Sequence, residues 1–374
     1  MSVTEQNLRG NRLTRSSIYQ KIYQTPGVSR QDIASALKLS LPTVIGYIQE
    51  LEQEGLIRET GYIGNTGGRR AKAYGIEEQA RTAIGLDITR NHITAVAVDL
   101  KGKILLKLRF RYPFSYDDSY FRRLGEIVQE VIEKGGLNPQ TILGVGVGLP
   151  GLVTGDHNTV FYGEILHFTG AKREELTKYI PFPTLLFNDA NAAAFAETWE
   201  NPDVNNAFYV MLSNNVGGAV FIHNQVYSGE ERRSGEVGHI TIVPNGKKCY
   251  CGQKGCMDVY CAATVLSGMT GGNLEQFFEL LRSGDEAAEK VWDTYLKHLA
   301  IAVNNLHTLF DCTVILGGYV GAYIEDYLEE LRLMVARMNP FVFSGDYLIA
   351  CQCKTEAIAS GAALNFVSRY LQTI

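Results

Sequence analysis

The sequence predicts an α/β protein in which an N-terminal winged helix-turn-helix, residues 1–76, precedes a larger mixed α/β body, residues 82–374. Three observations carry this expectation. The first 76 residues hold three short segments with helical apolar spacing, then two strand-like segments around a glycine-rich basic turn. From residue 82, short strand-like runs alternate with longer amphipathic segments, the pattern of mixed sheets joined by helical crossovers. At 374 residues, 45% hydrophobic and 20% charged, the chain has the composition of a globular protein and the length of two or three folding units.

The first helix is expected over residues 13–24, with Leu13, Ile18 and Ile22 inward and Pro26-Gly27 ending it. The second begins at Ser29, where Ser29 and Asp32 match a capping box and Ile33, Ala34 and Leu37 make the apolar side. Leu39-Ser40 is the turn. The third helix starts after Ser40 and runs to about Glu54, with Val44, Ile45, Ile48 and Leu51 recurring at inward spacing. Leu41, Pro42, Thr43, Tyr47 and Gln49 are left at its start or outer face. In a helix-turn-helix, these early residues of the second motif helix meet base edges in the major groove. A short strand, Gly55-Leu56-Ile57, leads to the turn Gly64-Asn-Thr-Gly67-Gly68-Arg69-Arg70, and Ala71 to Ile76 returns. Two arginines at a hairpin tip suit phosphate or minor-groove contact. Residues 1–76 carry 10 Lys and Arg against 6 Asp and Glu, net +4, while the rest carries 25 against 34, net −9. A basic front on an acidic body fits a polyanionic partner. The candidate DNA contacts are therefore Ser40, Pro42, Thr43, Tyr47, Arg69 and Arg70. The alternative is a small helical protein-interaction module, against which stand the wing and the charge.

In the body, strands are expected over Thr82–Asp87, Ile93–Asp99, Ile104–Phe110 and Leu143–Gly148, with a helix at about 118–134 and a long amphipathic helix over 286–310. No run of 18 apolar residues is present, so no membrane partner is expected. Met1 to Gln6 lacks the basic and apolar regions of a signal peptide. Seven cysteines, several of them clustered, fit a reducing, cytoplasmic setting.

The densest chemistry lies between residues 235 and 261. His239, Cys249, Cys251 and Cys256 form one imidazole and three thiols at short spacing, separated by Gly252 and Gly255. Such a set makes a closed tetrahedral shell for Zn2+, and a shell without an open position is structural. A reduced cysteine cluster or a disulfide is the alternative. Cys261, Cys312, Cys351 and Cys353 read as buried apolar side chains, since Cys351-x-Cys353 has no partner set.

Glu236-x-Gly-His239 followed by Cys249-x-Cys251-Gly-x-x-Gly-Cys256-x-Asp258 resembles the signature of the ROK family (repressor, open reading frame, kinase), which contains sugar kinases and sugar-responsive repressors. The resemblance covers residues 82–374 and implies a two-lobed actin/hexokinase-like (ribonuclease H-like) body. Lobe one would span about 82–196 plus 362–374, and lobe two about 197–361 with the zinc site. It implies sugar binding by Asn188, Asp189, Glu236, His239 and Asp258, with Asp189 the general base if the protein is a kinase. Asp258 stands where the family usually has Glu, a reach shorter by one methylene. His239 would bind zinc through one ring nitrogen and face sugar with the other.

The family's phosphate-binding glycines are altered. Where the kinases have Asp-x-Gly-Gly-Thr, this chain has Asp87-Ile-Thr89-Arg90-Asn91. Where they have Gly-Thr-Gly-x-Gly, it has Ser213-Asn214-Asn215-Val216-Gly217, and Leu316-Gly317-Gly318 is followed by the bulky Tyr319. Because phosphoryl transfer depends on positioned donors around the phosphates, these changes weigh against an enzyme. The wing departs too, with Ala71 where the repressors usually have proline. The expectation is a sugar-responsive repressor that binds operator DNA as a homodimer or homotetramer, with a ROK sugar kinase carrying a DNA-binding appendage as the runner-up. Arg232-Arg233 leaves a third reading, a regulator that reads an anionic ligand.

Overall fold

The computed structural model describes residues 3–63, 70–341 and 343–374. The N-terminal unit comprises α1 (Val3–Gln24), β1 (Val28–Ser29), α2 (Arg30–Leu37), α3 (Leu41–Gln53), β2 (Ile57–Ile63) and β3 (Ala71–Ile76), its strands ordered β1-β3-β2. The expected capping box starts α2. The Ser29 hydroxyl accepts from the Asp32 N–H, and the Asp32 carboxylate accepts from the Ser29 N–H, both at 3.2 Å. Lys38 then turns left-handed, φ 53°, ending α2 with its N–H on carbonyls of the last turn. Ile18, Tyr19, Ile22, Ile33, Val44, Ile48 and Leu51 are buried together.

Two expectations fail here. The first helix starts at Val3 rather than residue 13, because its polar first turns carry no apolar period to read. Leu13, expected inward, is 64% exposed. It lies five residues before Ile18, about 140° around a helix with 3.6 residues per turn. The wing tip with Gly64, Gly67, Gly68 and Arg69 lies outside the described residues.

The body contains two five-stranded sheets. The first uses β4 (Thr82–Ile88), β5 (His92–Val98), β6 (Ile104–Arg111), then α4 (Asp118–Gly135), β7 (Ile142–Leu149), a small hairpin of β8 (Leu152–Val153) and β9 (Val160–Tyr162), α5 (Arg173–Leu176), β10 (Thr184–Asn188) and α6 (Asp189–Glu200). Its order is β10-β7-β4-β5-β6, antiparallel from β4 to β6 and parallel from β4 to β10. The second uses β11 (Ala207–Leu212), β12 (Val216–Ile222), β13 (Gln225–Tyr227), α7 (Asp258–Cys261), α8 (Ala263–Ser267), α9 (Leu274–Arg282), α10 (Glu286–Phe310), β14 (Thr313–Gly317), α11 (Gly318–Gly321), α12 (Leu328–Ala336) and β15 (Leu348–Ala350). Its order, β13-β12-β11-β14-β15, repeats the same arrangement of an antiparallel meander followed by two parallel strands. The long helix is found over Glu286–Phe310, as expected. Among the described residues no helix is long and apolar enough to cross a membrane.

The last helix, α13 (Ala357–Leu371), returns to pack on β4, β5, β7 and α6 of the first sheet. It begins five residues ahead of the expected return at 362. The packing is close. A Cβ on Gly361 would lie 1.7 Å from the Ala192 carbonyl oxygen, and one on Gly85 1.8 Å from that of Ala359. The obstacle is backbone, so neither helix can yield without moving off the sheet. Gly361→Ala is therefore expected to destabilise the protein by about 3 kcal/mol, read as a shift in the urea midpoint. A change below about 0.5 kcal/mol would show that the α6–α13 contact slides freely.

The N-terminal unit is tied to the body at the β5–β6 turn. Lys101 Nζ donates to the Tyr23 carbonyl at 2.6 Å and sits 3.7 Å from the Tyr23 ring centroid. The Tyr23 hydroxyl donates to the Leu100 carbonyl at 3.1 Å. From the other side, Trp199 Nε1, near the end of α6, donates to the Lys101 carbonyl at 2.9 Å.

Candidate functional site

A cleft with about 1140 Å³ of empty space, open to solvent, is lined by Asp87, Asn188, Asp189, Glu236, Tyr250 and Tyr319 among others. Asn188 ends β10 and caps α6, its Oδ1 accepting from the Asn191 N–H at 3.0 Å. Its Nδ2 donates to the Gly151 carbonyl at 3.2 Å and to Asp189 Oδ1 at 3.1 Å. Asp189 Oδ1 also accepts from the Ala190 N–H at 2.8 Å, in the first turn of the helix. Burial, aided by the Glu236 charge, nonetheless pushes Asp189 up to about 7. Asp87, at the end of β4, is 5% exposed, and its Oδ1 has no hydrogen-bond partner among the described residues. Burial first, then the Asp189 charge, pushes Asp87 up to about 7, against the pull of Arg109. Glu236 stays open to water at the head of the 3-10 turn Val237–His239. The cleft thus presents carboxyl and carboxamide groups suited to hydroxyl-rich ligands.

Two of the five expected sugar ligands do not line this cleft. Asp258 is 5% exposed at the start of α7, and its Oδ1 accepts from the Val216 N–H at 2.7 Å. The side chain pins the loop before β12. His239 lies just beyond the wall. Its Nδ1 is 3.9 Å from Cys249 Sγ, while its Nε2 meets the Tyr250 hydroxyl at 3.1 Å.

The ligand atoms of His239, Cys249, Cys251 and Cys256 all lie within 4.8 Å of one another, so this cluster could bind a metal ion. A tetrahedral shell with metal–sulfur bonds of about 2.3 Å has edges of about 3.8 Å. Cys251 Sγ to Cys256 Sγ is 3.7 Å, so the set fits such an ion. The loop is shaped for it. The Cys249 N–H donates to the Gln253 carbonyl at 2.8 Å, and the Gly255 carbonyl accepts from the Ile242 and Val243 N–H groups. Gly255 has φ 83°, and a Cβ there would fall 1.9 Å from the Val243 carbonyl oxygen. Of the four remaining cysteines, Cys261 and Cys351 are buried, while Cys312 and Cys353 are half-buried.

The segments 87–91 and 213–217 border the cleft. Thr89 closes the β4–β5 turn by bonding the His92 backbone in both directions, and Arg90 donates to the Ile165 carbonyl at 2.7 Å. Asn214, Asn215 and Tyr319 line the wall opposite the first sheet. Sequence reasoning missed two tyrosines, Tyr162 and Tyr250, that also line the cleft. Their only sequence signal is position: Tyr250 stands between two cysteines of the cluster.

On the N-terminal unit, Ser40 caps α3, its hydroxyl accepting from the Thr43 N–H at 3.3 Å and pairing with the Thr43 hydroxyl at 2.7 Å. Pro42, Thr43 and Arg70 are exposed. Tyr47, expected to face outward, is half-buried against the core of the unit.

Comparison with known proteins agrees with this architecture. The winged helix-turn-helix DNA-binding profile matches residues 12–58. A putative xylose repressor of Caldicellulosiruptor sp. (strain Rt8B.4) is 26% identical over 332 residues, covering 82% of this chain and 83% of the relative. A crystal structure of a ROK family transcriptional regulator, a homologue of the E. coli MLC protein, superimposes with a TM-score of 0.75 at 21% identity, covering 97% of both chains. A ROK family glucokinase from Streptomyces griseus, solved with glucose and AMPPNP, gives 0.64 at 24% identity, covering 76% of this chain and 98% of that one. The ROK family profile itself matches residues 83–368, and the chain belongs to the ROK family.

Proposed function

We propose that this protein is a sugar-responsive transcriptional repressor. Its N-terminal unit, 1–76, reads operator DNA through Ser40, Pro42, Thr43, Tyr47, Arg69 and Arg70. Its body, 82–374, binds a sugar between lobe one, about 82–196 plus the C-terminal helix, and lobe two with a zinc centre. Asn188, Asp189 and Glu236 take the sugar hydroxyls. Asp258 holds the adjoining loop in place, and His239 carries the cleft wall on the metal. Zn2+ is the favoured ion because a closed Cys3His set matches its ligand preference. A homodimer or homotetramer is the working assembly, since helix-turn-helix readers commonly bind two half-sites.

One observation carries the reading. Helix α6 opens at the cleft with Asp189 and ends beside Trp199, which bonds the very turn that Lys101 uses to grip Tyr23 of α1. One helix thus runs from the candidate ligand site to the turn that holds the DNA-reading unit, and a ligand that shifts this helix shifts the base of the reading head. The test is binding to DNA from upstream of this gene and its neighbours, at fixed salt, with a panel of sugars. Release by one sugar supports the repressor and identifies its effector. Absence of specific DNA binding would sink it.

Lys101→Met should separate the two functions. It keeps the stem of the side chain and removes the ammonium contact with Tyr23. Sugar and DNA affinities measured alone are expected to stay within about twofold, while the sugar-induced loss of DNA affinity shrinks about tenfold. Unchanged induction would mean that coupling runs elsewhere.

The second reading, a sugar kinase with a DNA-binding appendage, draws on Asp189 as general base. Against it stand Thr89, Arg90, Asn214 and Asn215 in place of phosphate-cradling glycines and hydroxyls. A coupled ADP-release assay over pentoses and hexoses decides between them.

A further inference from the structure

Tyr250 sits between Cys249 and Cys251, so a metal held by both cysteines fixes its backbone from either side. Its ring stands edge-on to the His239 imidazole, with centroids 5.2 Å apart and planes at 72°. Tyr250 is 51% exposed, and it lines the same cleft as Asn188, Asp189 and Glu236. Tyr162, at the end of β9 in the first lobe, lines that cleft as well.

The hydrogen-bond logic follows from the two ring nitrogens. His239 Nδ1 points into the cysteine set, 3.9 Å from Cys249 Sγ. With that lone pair given to a metal, the ring proton resides on Nε2. Nε2–H then donates to the Tyr250 hydroxyl, 3.1 Å away. The phenol oxygen is an acceptor in that bond, and its own proton is left to donate elsewhere. The group this wall offers to the cleft is therefore a phenol O–H, set further in than the imidazole it covers. The rigid ring also fills space that a smaller residue between the two cysteines would leave open.

We propose that Tyr250 is a specificity-determining residue of the cleft: its hydroxyl, in place of the His239 imidazole, meets the bound sugar, and its ring excludes sugars with a bulky substituent on that side. The favoured ligand class is an unsubstituted aldose. This rests on the sugar-cleft reading above. A tyrosine that merely screens the metal from water would alter metal retention and leave the ranking of sugars untouched.

The test uses full-length, zinc-loaded protein and calorimetric titration with xylose, glucose and N-acetylglucosamine, with metal content measured in parallel. Wild-type protein is expected to bind xylose or glucose ahead of N-acetylglucosamine. Tyr250→Phe should keep its metal and bind the preferred sugar about tenfold more weakly, the effect of one lost hydrogen bond. Tyr250→Ala should raise affinity for N-acetylglucosamine relative to the smaller sugars by at least about tenfold, the size expected when a steric exclusion is lifted. If both variants rank and bind the sugars as wild type does, while Glu236→Gln abolishes binding, the role of Tyr250 is overturned and the sugar cleft stands. A wild type that prefers N-acetylglucosamine also overturns it. Wild-type protein that binds none of the three overturns the sugar cleft, and this inference with it.

Discussion

Replacing Cys256 with Ser, or treating the protein with a strong chelator, is expected to lower the melting temperature by roughly 10 °C and to abolish the response to sugar. Cys256 is fully buried, and its sulfur lies 3.7 Å from that of Cys251. Between β13 and α7, residues 228–257, the described chain has only a single 3-10 turn and isolated bridges, Thr241 with Cys256 and Lys248 with Lys254. A segment with so little ladder pairing depends on its ligands for shape. In small zinc modules, metal binding supplies about 10 kcal/mol of folding free energy. Here the second lobe keeps its own core around Trp292, Tyr295 and Leu299, so only part of that is lost and the lobe stays folded. The sugar response suffers more than stability, because Glu236 and Tyr250 are carried on the same segment. Elemental analysis with scanning calorimetry checks the first half, and DNA release by sugar the second. A Cys256→Ser protein with full metal content and unchanged induction would refute the role.

Much of this structure is legible in the sequence, and for identifiable reasons. Capping chemistry placed α2, because Ser29 and Asp32 act within one helical turn of their own backbone, and the apolar spacing from Val44 to Leu51 placed α3. The motif from Glu236 to Asp258 located the cluster, because metal ligation demands fixed residue types at short spacing. Three features were not legible. The shared topology of the two sheets leaves no sequence repeat, since strand order depends on pairing between distant segments rather than on residue identity. The destination of a motif residue's atoms is equally hidden. Asp258 keeps the carboxylate of the motif, though as Asp, and yet its Oδ1 accepts from the Val216 N–H. Tyr250 gave no signal beyond its place between two cysteines, because a single aromatic residue in a loop has no period, and only the fold shows that it reaches the cleft.

Sugar affinity is expected to rise as pH increases from 6 to 8, and Asp189→Asn should flatten that rise and weaken binding by about a hundredfold. Asp189 is pushed up to about 7 by burial, with the nearby Glu236 charge adding to it, from an ordinary carboxyl value of 3.8. A group raised on folding contributes stability that is fully present below its unfolded value and is lost as pH climbs through its folded value. Stability of the free protein should therefore decline between about pH 4 and pH 7 as Asp189 is forced to ionise in place. Asp87 and Glu197, each also pushed up to about 7 chiefly by burial, act in the same direction. Asp189→Asn is thus expected to reduce the decline in stability without removing it. Ligand binding has the opposite slope. Sugar hydroxyls donate to a carboxylate, and bonds to an ionised acceptor are worth about 1.5–3 kcal/mol each. Ligand and proton then compete for Asp189, and affinity levels off once the group is ionised. The amide in Asp189→Asn still accepts one such bond but has no charge to offer and no proton to release. Titrations at several pH values above 6, where the carboxyls in question exchange protons, give the slope directly. A wild-type affinity that is flat across this range would mean that Asp189 does not contact the sugar, and would leave its recognition to Asn188 and Glu236.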